Sequence, residues 1–202
     1  MTVSALFFAV LMGIPIGTLL ALNRFSGKRI FTAFIYTGMG LPPVVVGLFV
    51  FLVLSRNGPL GDLGWLFRME AMIVAQIIIA TPLIIGVTMS SVQSVDPTLR
   101  PQLKALGATN WQATRAQLYE ARFGVLVGLV AGFGAVISEV GAVMLVGGNI
   151  EGRTRVLTTA IVLETRKGNF DFALALGIIL LTIALATNMI VVFIQSRTGD
   201  NI

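Results

Sequence analysis

Hydrophobic and polar positions follow one another along this chain in blocks rather than residue by residue. Each apolar block is long enough for its length to decide its reading, because about 20 residues of helix cross the hydrocarbon of a bilayer. The first runs from Val3 to Leu22 and carries Pro15. The second, Ile30 to Leu54, contains Gly40-Leu41-Pro42-Pro43-Val44. The third, Glu70 to Ser90, has Thr81-Pro82 at its centre, and the fourth runs from Phe123 to Val146. The fifth, Phe172 to Gln195, is followed by a polar tail with Arg197. The pattern predicts an all-α integral membrane protein of about five transmembrane helices, forming one domain over residues 1–202.

Between the third and fourth blocks lies the one long polar interruption, about residues 95–122, with Arg100, Lys104, Arg115 and Arg122. Its punctuation predicts two short helices outside the bilayer. Asp96 can cap a helix that holds Pro97 in its first turn, where a missing N–H costs nothing. Leu99, Leu103 and Leu106 then share one face, and Gly107 can take the left-handed conformation that closes the helix. Thr109 and Gln112 read as a capping box opening the second helix. Such a knob is suited to being gripped by another protein. A shorter helix is expected at Thr158 to Thr165, after the break at Gly147-Gly148-Asn149.

Several positions inside the apolar blocks carry chemistry. The Pro42-Pro43 pair leaves carbonyls unpaired, which membrane depth tolerates only against protein or a water-filled path. It is either a packing kink or part of a conduction path. Gly124, Gly128 and Gly132 form two overlapping GxxxG patterns for close helix approach. Gln76 needs a partner within the membrane. Glu139 is the one carboxylate deep inside a span, so it marks a functional position or a structural hydrogen bond.

Composition narrows the function. Hydrophobic residues make up 56% and charged residues only 11%, against about 25% charged in soluble domains. A deficit of that size fits a surface facing lipid. The chain has no histidine and no cysteine, which removes disulfides, thiolate or imidazole metal sites and Ser/Cys–His catalytic pairs. No catalytic constellation is visible, no metal site is expected, and the net charge of +5 shows no basic run suited to nucleic acid. The first apolar run begins almost at Met1, which leaves room for a leader segment ahead of it. With the chain start outside, eight Lys/Arg fall on inner segments and six on outer ones, the sign expected for a multi-pass protein of the cell (inner, cytoplasmic) membrane.

The polar knob resembles the coupling segment of the permease subunits of ABC importers, whose pattern is Glu-Ala-Ala, three residues, Gly, nine residues, Ile-x-Leu-Pro. Gly107, Ala108 and Trp111 match that setting. Pro101, Gln102 and Leu103 stand in place of Glu-Ala-Ala, and Gln117, Tyr119 and Glu120 in place of Ile, Leu and Pro. Four longer stretches are similar to the Tup-type tungstate permeases and, less closely, to molybdate and sulfate permeases. These are GLPPVVVGL, KALGATNWQA, ISEVGAVMLVGGNIEGRTRVLTTAIVLET and GNFDFALALGII.

The resemblance implies the type I permease fold and a transport subunit rather than an enzyme. It implies a second copy of the chain, a cytoplasmic ABC ATPase dimer, an extracytoplasmic solute-binding protein and the lipid bilayer as partners. ATP and Mg would be held by the ATPase, with no cofactor on this chain, which lacks a GxxxxGK[ST] phosphate loop. The cargo implied is tungstate, with molybdate or sulfate as alternatives; an ion-driven secondary transporter is the rival class. Leu99, Pro101, Gln102, Leu103, Leu106, Gly107 and Ala108 would contact the ATPase. Pro42, Pro43, Glu139 and Gly147 would line the translocation path or its gate. Arg153 and Arg155 would meet an anion or the binding protein on the outer face, or stand as a solvated pair.

Overall fold

A computed structural model of the chain describes residues 1–199. Ten α-helices follow in order among the described residues: α1 Thr2–Leu22, α2 Lys28–Met39, α3 Pro43–Leu54, α4 Met69–Gln93, α5 Leu99–Ala105, α6 Asn110–Glu120, α7 Arg122–Ile137, α8 Gly141–Gly147, α9 Leu157–Arg166 and α10 Phe170–Gly199. Three of these, α1, α4 and α10 as far as Ile190, are each long and apolar enough to cross a bilayer. Two bent pairs bring the candidate spans to as many as five.

Two of the expected spans are corrected. The second is not one kinked helix, since α2 and α3 meet at 102° across Gly40-Leu41-Pro42. Pro42 caps α3 and Pro43 occupies its first position, where φ near −65° starts a helix but a preceding turn cannot be hydrogen-bonded through. The fourth is interrupted at Ser138–Val140, so the apolar run continues as a separate helix α8. The fifth forms as expected, lying outermost against α9 and α7. From residue 191 on, its side chains other than that of Phe193, including those of the polar tail with Arg197, lie outside the described residues.

Helix α4 is the centre of the bundle. Met72, Ala75, Gln76, Ala80, Ile84, Thr88, Met89 and Val92 are buried along it, on more than one face. Its two broadest partners reach it through stripes of small residues. On α1, Ala5, Ala9, Gly13 and Gly17 are all buried at a four-residue interval. On α7, Gly124, Gly128 and Gly132 lie against Ser91, Val87 and Ile84 of α4, as the GxxxG pattern predicts. In lipid, helices associate by close packing rather than by the hydrophobic effect, so this approach is what holds the three together. A Cβ at Gly17 would sit 2.7 Å from the Ile85 carbonyl oxygen, whereas one at Gly134 meets nothing within 4 Å. Gly17→Ala is therefore expected to lower stability by about 1–3 kcal/mol, while Gly134→Ala leaves it unchanged or raised. Thermal unfolding of the two variants in the same detergent checks the order.

A third contact fixes α3. Its Gly47 lies so close to α8 that a Cβ there would be 2.6 Å from the Ala142 Cα. The Ser55–Arg68 loop folds over the far end of the same pair. The Phe67 N–H donates to the Val146 carbonyl at 2.9 Å, and the Phe67 ring packs edge-on to Phe51 at 6.2 Å.

Candidate functional site

The polar knob forms the two helices that its residues predict. Asp96 Oδ1 accepts from the Thr98 N–H at 2.8 Å and from the Thr98 hydroxyl at 2.7 Å. The helix starts at Leu99, so Pro97 sits in the turn before it rather than in its first turn. At the other end Gly107 has φ +90°, the Ala108 N–H donates to the Leu103 carbonyl and the Gly107 N–H to the Lys104 carbonyl, both at 3.0 Å. That pair of bonds is a Schellman closure, and it needs the left-handed residue. Thr109 then opens α6 with both bonds of a capping box.

The knob is fused to the bundle at both ends. Helix α4 ends at Gln93, two residues before Val95 plugs into a cluster with Val92, Ala121 and Leu99. Helix α6 runs into α7 through Ala121 alone, at a 65° corner. The Arg122 guanidinium lies over the Tyr119 ring at 4.2 Å and the Phe123 ring at 4.6 Å, and donates to the Tyr119 carbonyl at 3.0 Å. The expected leucine ridge is thereby divided. Leu99 turns into the bundle, Leu103 is half-buried, and Leu106 is 85% exposed, as is Trp111 in the first turn of α6 at 74%. Pro101, Gln102 and Gly107 are exposed as well, and Ala108 is half-buried.

At the opposite end of α7, the break at Ser138–Val140 is held by three elements. The Gln76 amide of α4 donates to the Val136 carbonyl at 3.2 Å, the partner the sequence requires for a buried amide. Glu139 Oε1 accepts the Ala142 N–H of α8 at 2.7 Å. The Thr158 hydroxyl of α9 donates to the Glu139 carbonyl at 2.9 Å. The non-helical backbone is thus held by polar groups at its centre, where Glu139 is buried, while Ser138 is exposed. Glu139 itself is only 7% exposed, and its carboxylate serves as the cap of a half-helix. The continuous apolar run hides this break; Glu139 followed by Gly141 is its one local sign.

The two breaks are neighbours. A Cβ at Gly141, the first residue of α8, would lie 2.6 Å from Val44 in the first turn of α3. Pro42, Pro43 and Glu139 therefore belong to one region, with the two prolines exposed and Glu139 buried. Gly147 lies apart, at the far end of α8 about 9 Å along the helix, packed on Met72. The Thr154 hydroxyl donates to its carbonyl at 2.6 Å.

Between these elements opens a cavity of about 630 Å³, lined by Met1, Gln76, Val136, Glu139, Arg155 and Thr158 among others. Gln76 Oε1 is buried there without a protein partner. Arg155 faces this cavity and also pairs with Glu151 at 3.1 Å, whereas Arg153 points into solvent. Sequence alone gives no hint that Thr158 bonds Glu139, or that Arg155 and Gln76 line one cavity with them, since these residues are far apart in the chain.

Helix α9 forms as expected, with the Thr159 hydroxyl accepting the Val156 N–H at 3.0 Å. Its end is clamped by Glu164, which accepts from Asn169 at 2.7 Å and Lys167 at 2.8 Å. These bonds, that from Asn169 foremost, hold the Glu164 carboxyl below its usual pKa. A depressed carboxyl stabilises the fold above its unfolded value of about 4.5 and loses that contribution as pH falls through the folded value. Hydrogen exchange at the α9–α10 turn is expected to quicken as pH drops below this window relative to Glu164→Gln, once intrinsic rates are corrected for.

Comparison with known proteins agrees with this architecture. Residues 13–200 match the family model of the binding-protein-dependent transport system inner membrane component. The chain is 45% identical over 200 residues to a probable anion ABC transporter permease protein of Haloferax volcanii, covering 96% of this chain and 86% of that one. It is 39% identical over 189 residues to the tungstate uptake system permease protein TupB of Peptoclostridium acidaminophilum, covering 94% and 83%. Among solved structures, a bacterial ABC transporter involved in alginate import superposes with TM-score 0.73 at 25% identity, over 97% of this chain and 77% of that one. The MetNI methionine transporter superposes with TM-score 0.69 at 20% identity, over 94% and 89%. A multi-pass bundle of broken helices with a capped knob at one end, matched along nearly all its length, is an ABC importer permease subunit, and the chain belongs to the binding-protein-dependent transport system inner membrane component family.

Proposed function

We propose that this chain is the permease of a tungstate importer, in which two copies enclose the path and the knob is driven by a separate ATPase dimer. The observation that carries the cargo is the 39% and 35% identity to two tungstate uptake permeases over most of the chain, against 30% and 27% for molybdenum and sulfate permeases. A solute-binding protein delivers the anion to the outer end, where Arg155 and the cavity beside Glu139 lie. ATP and Mg belong to the ATPase. A dianion moving through a low-dielectric bundle needs dipoles rather than free carboxylates along its route. Committing the Glu139 carboxylate to the Ala142 N–H meets that requirement. Pro42 and Pro43 border the path beside the Glu139 break, Gly147 borders it further along α8, and Arg153, exposed, would meet the binding protein.

On the motor side, Leu106 and Trp111 are the exposed apolar groups of the knob, with Pro101, Gln102, Leu103 and Ala108 around them. Leu106→Asp is expected to abolish co-purification with the ATPase while leaving membrane insertion intact. Retention of a stoichiometric complex would remove this contact. The cargo is tested by reconstituting the chain with its ATPase and binding protein in vesicles. Tungstate is expected to stimulate ATP hydrolysis at concentrations about tenfold below those of molybdate or sulfate. Equal or better stimulation by either rival would reassign the substrate, and uptake without any nucleotide would overturn the class.

A further inference from the structure

A second cavity, about 1010 Å³, opens at the knob end of the bundle, where the α1–α2 turn meets the last turns of α4. Arg24, Lys28 and Arg29 line it, and no acidic residue does so among the described residues. Lys28 is partly committed, donating to the Asn23 carbonyl at 3.1 Å. The guanidiniums of Arg24 and Arg29 are exposed and make neither ion pair nor hydrogen bond among the described residues. Tyr36 and Gln93 add polar groups, and Phe25 and Met89 an apolar floor.

The surroundings restrict the ligand. The cavity sits where α1 and α4, two membrane-crossing helices, end, and so at the boundary between hydrocarbon and water. Helix α2, which forms one wall, has no fully buried residue, and Ile30, Phe31 and Phe34 are 59–71% exposed on it. Two unpaired cations beside an exposed apolar helix face match a molecule that is anionic at one end and apolar at the other. A free oxyanion would use the cations and leave that face unexplained. A protein partner rich in acid would use them too, but it would not need the apolar face at bilayer depth.

We propose that this cavity binds the phosphate headgroup of an anionic phospholipid, with Arg24 and Arg29 on the phosphate and the acyl chains along Ile30, Phe31 and Phe34 of α2. Because Gln93 belongs to both the cavity wall and the end of α4, the lipid would sit directly under the root of the knob.

Native mass spectrometry of the full chain released from detergent tests this, with phosphatidylglycerol and phosphatidylcholine offered at equal concentration. Phosphatidylglycerol is expected to be retained about tenfold in preference, and Arg24→Gln/Arg29→Gln to abolish the preference. The pair Arg56→Gln/Arg68→Gln, at the other end of the bundle, keeps it. Equal retention of the two lipids, or an unchanged preference in Arg24→Gln/Arg29→Gln, overturns the proposal. Should that variant not fold, binding of short-chain phosphatidylglycerol to the unmodified chain is measured at about 0.05 M and 0.5 M salt. A loss of about threefold or more is expected, and no change overturns the site. If inorganic phosphate or tungstate displaces the lipid as well as short-chain phosphatidylglycerol does, the cavity holds a free oxyanion and the lipid assignment fails.

Discussion

Gly107→Val is expected to cut uptake at least about tenfold while the chain still inserts and still binds its ATPase. The argument starts from the backbone. Gly107 has φ +90°, where a β-branched residue pays several kcal/mol of steric strain at an order-of-magnitude level, and nothing within 4 Å would obstruct the side chain itself. The strain is therefore relieved by changing φ, which breaks the bonds from Ala108 and Gly107 to Leu103 and Lys104. Helix α5 then loses its fixed angle to α6, although the Leu99 anchor and the Thr109–Gln112 box survive. In the proposed importer the outcome is ATP hydrolysis that no longer tracks transport. Measuring both rates in one vesicle preparation separates this from simple loss of assembly. Gly107→Asn, which tolerates the left-handed region, should recover most of the coupling. Wild-type uptake by the valine variant would show that the α5–α6 angle set by Gly107 is not used in coupling.

The second large effect is expected at Glu139, and it distinguishes shape from charge. Glu139→Ala leaves the buried Ala142 N–H without its acceptor and α8 without its cap, a loss of roughly 1–3 kcal/mol. The break at Ser138–Val140 then loses one of its three ties. Transport should fall about tenfold or more, with a lower unfolding temperature. Glu139→Gln keeps an oxygen that can accept the same N–H, so its transport should stay within about threefold of wild type. Should the glutamine variant be as inactive as the alanine one, the negative charge itself is used, and the capping account is wrong.

What could be read from the chain was its local chemistry. Gly107, the Thr109–Gln112 box and the glycine stripe of α7 each depend on residues within a turn or two of one another, and all three form. The break inside the fourth apolar run was marked only by Glu139, because Val140 to Val146 continues the hydrophobic pattern and two of its three ties come from Gln76 and Thr158, distant in sequence. The inward turn of Leu99 escaped for a related reason. Periodicity assigns it a face of α5, but only the arrival of Val92 and Ala121 decides which face is covered. The stripe on α1 is masked in the sequence because Ala5 and Ala9 blend into an apolar helix, so that only Gly13 and Gly17 stand out.

The seam where α4 meets those two stripes has a consequence for how the chain tolerates change. Acyl chains conform to whatever contour they meet, so an outward-facing leucine of α10 can be exchanged for isoleucine or phenylalanine at small cost. At Gly13, Gly17, Gly124 and Gly128 the opposing wall is another helix, already near or within the distance an added methyl would need. A saturation library selected for growth on limiting cargo should therefore return near-silence at every fourth residue of α1 and α7, flanked by broadly permissive neighbours.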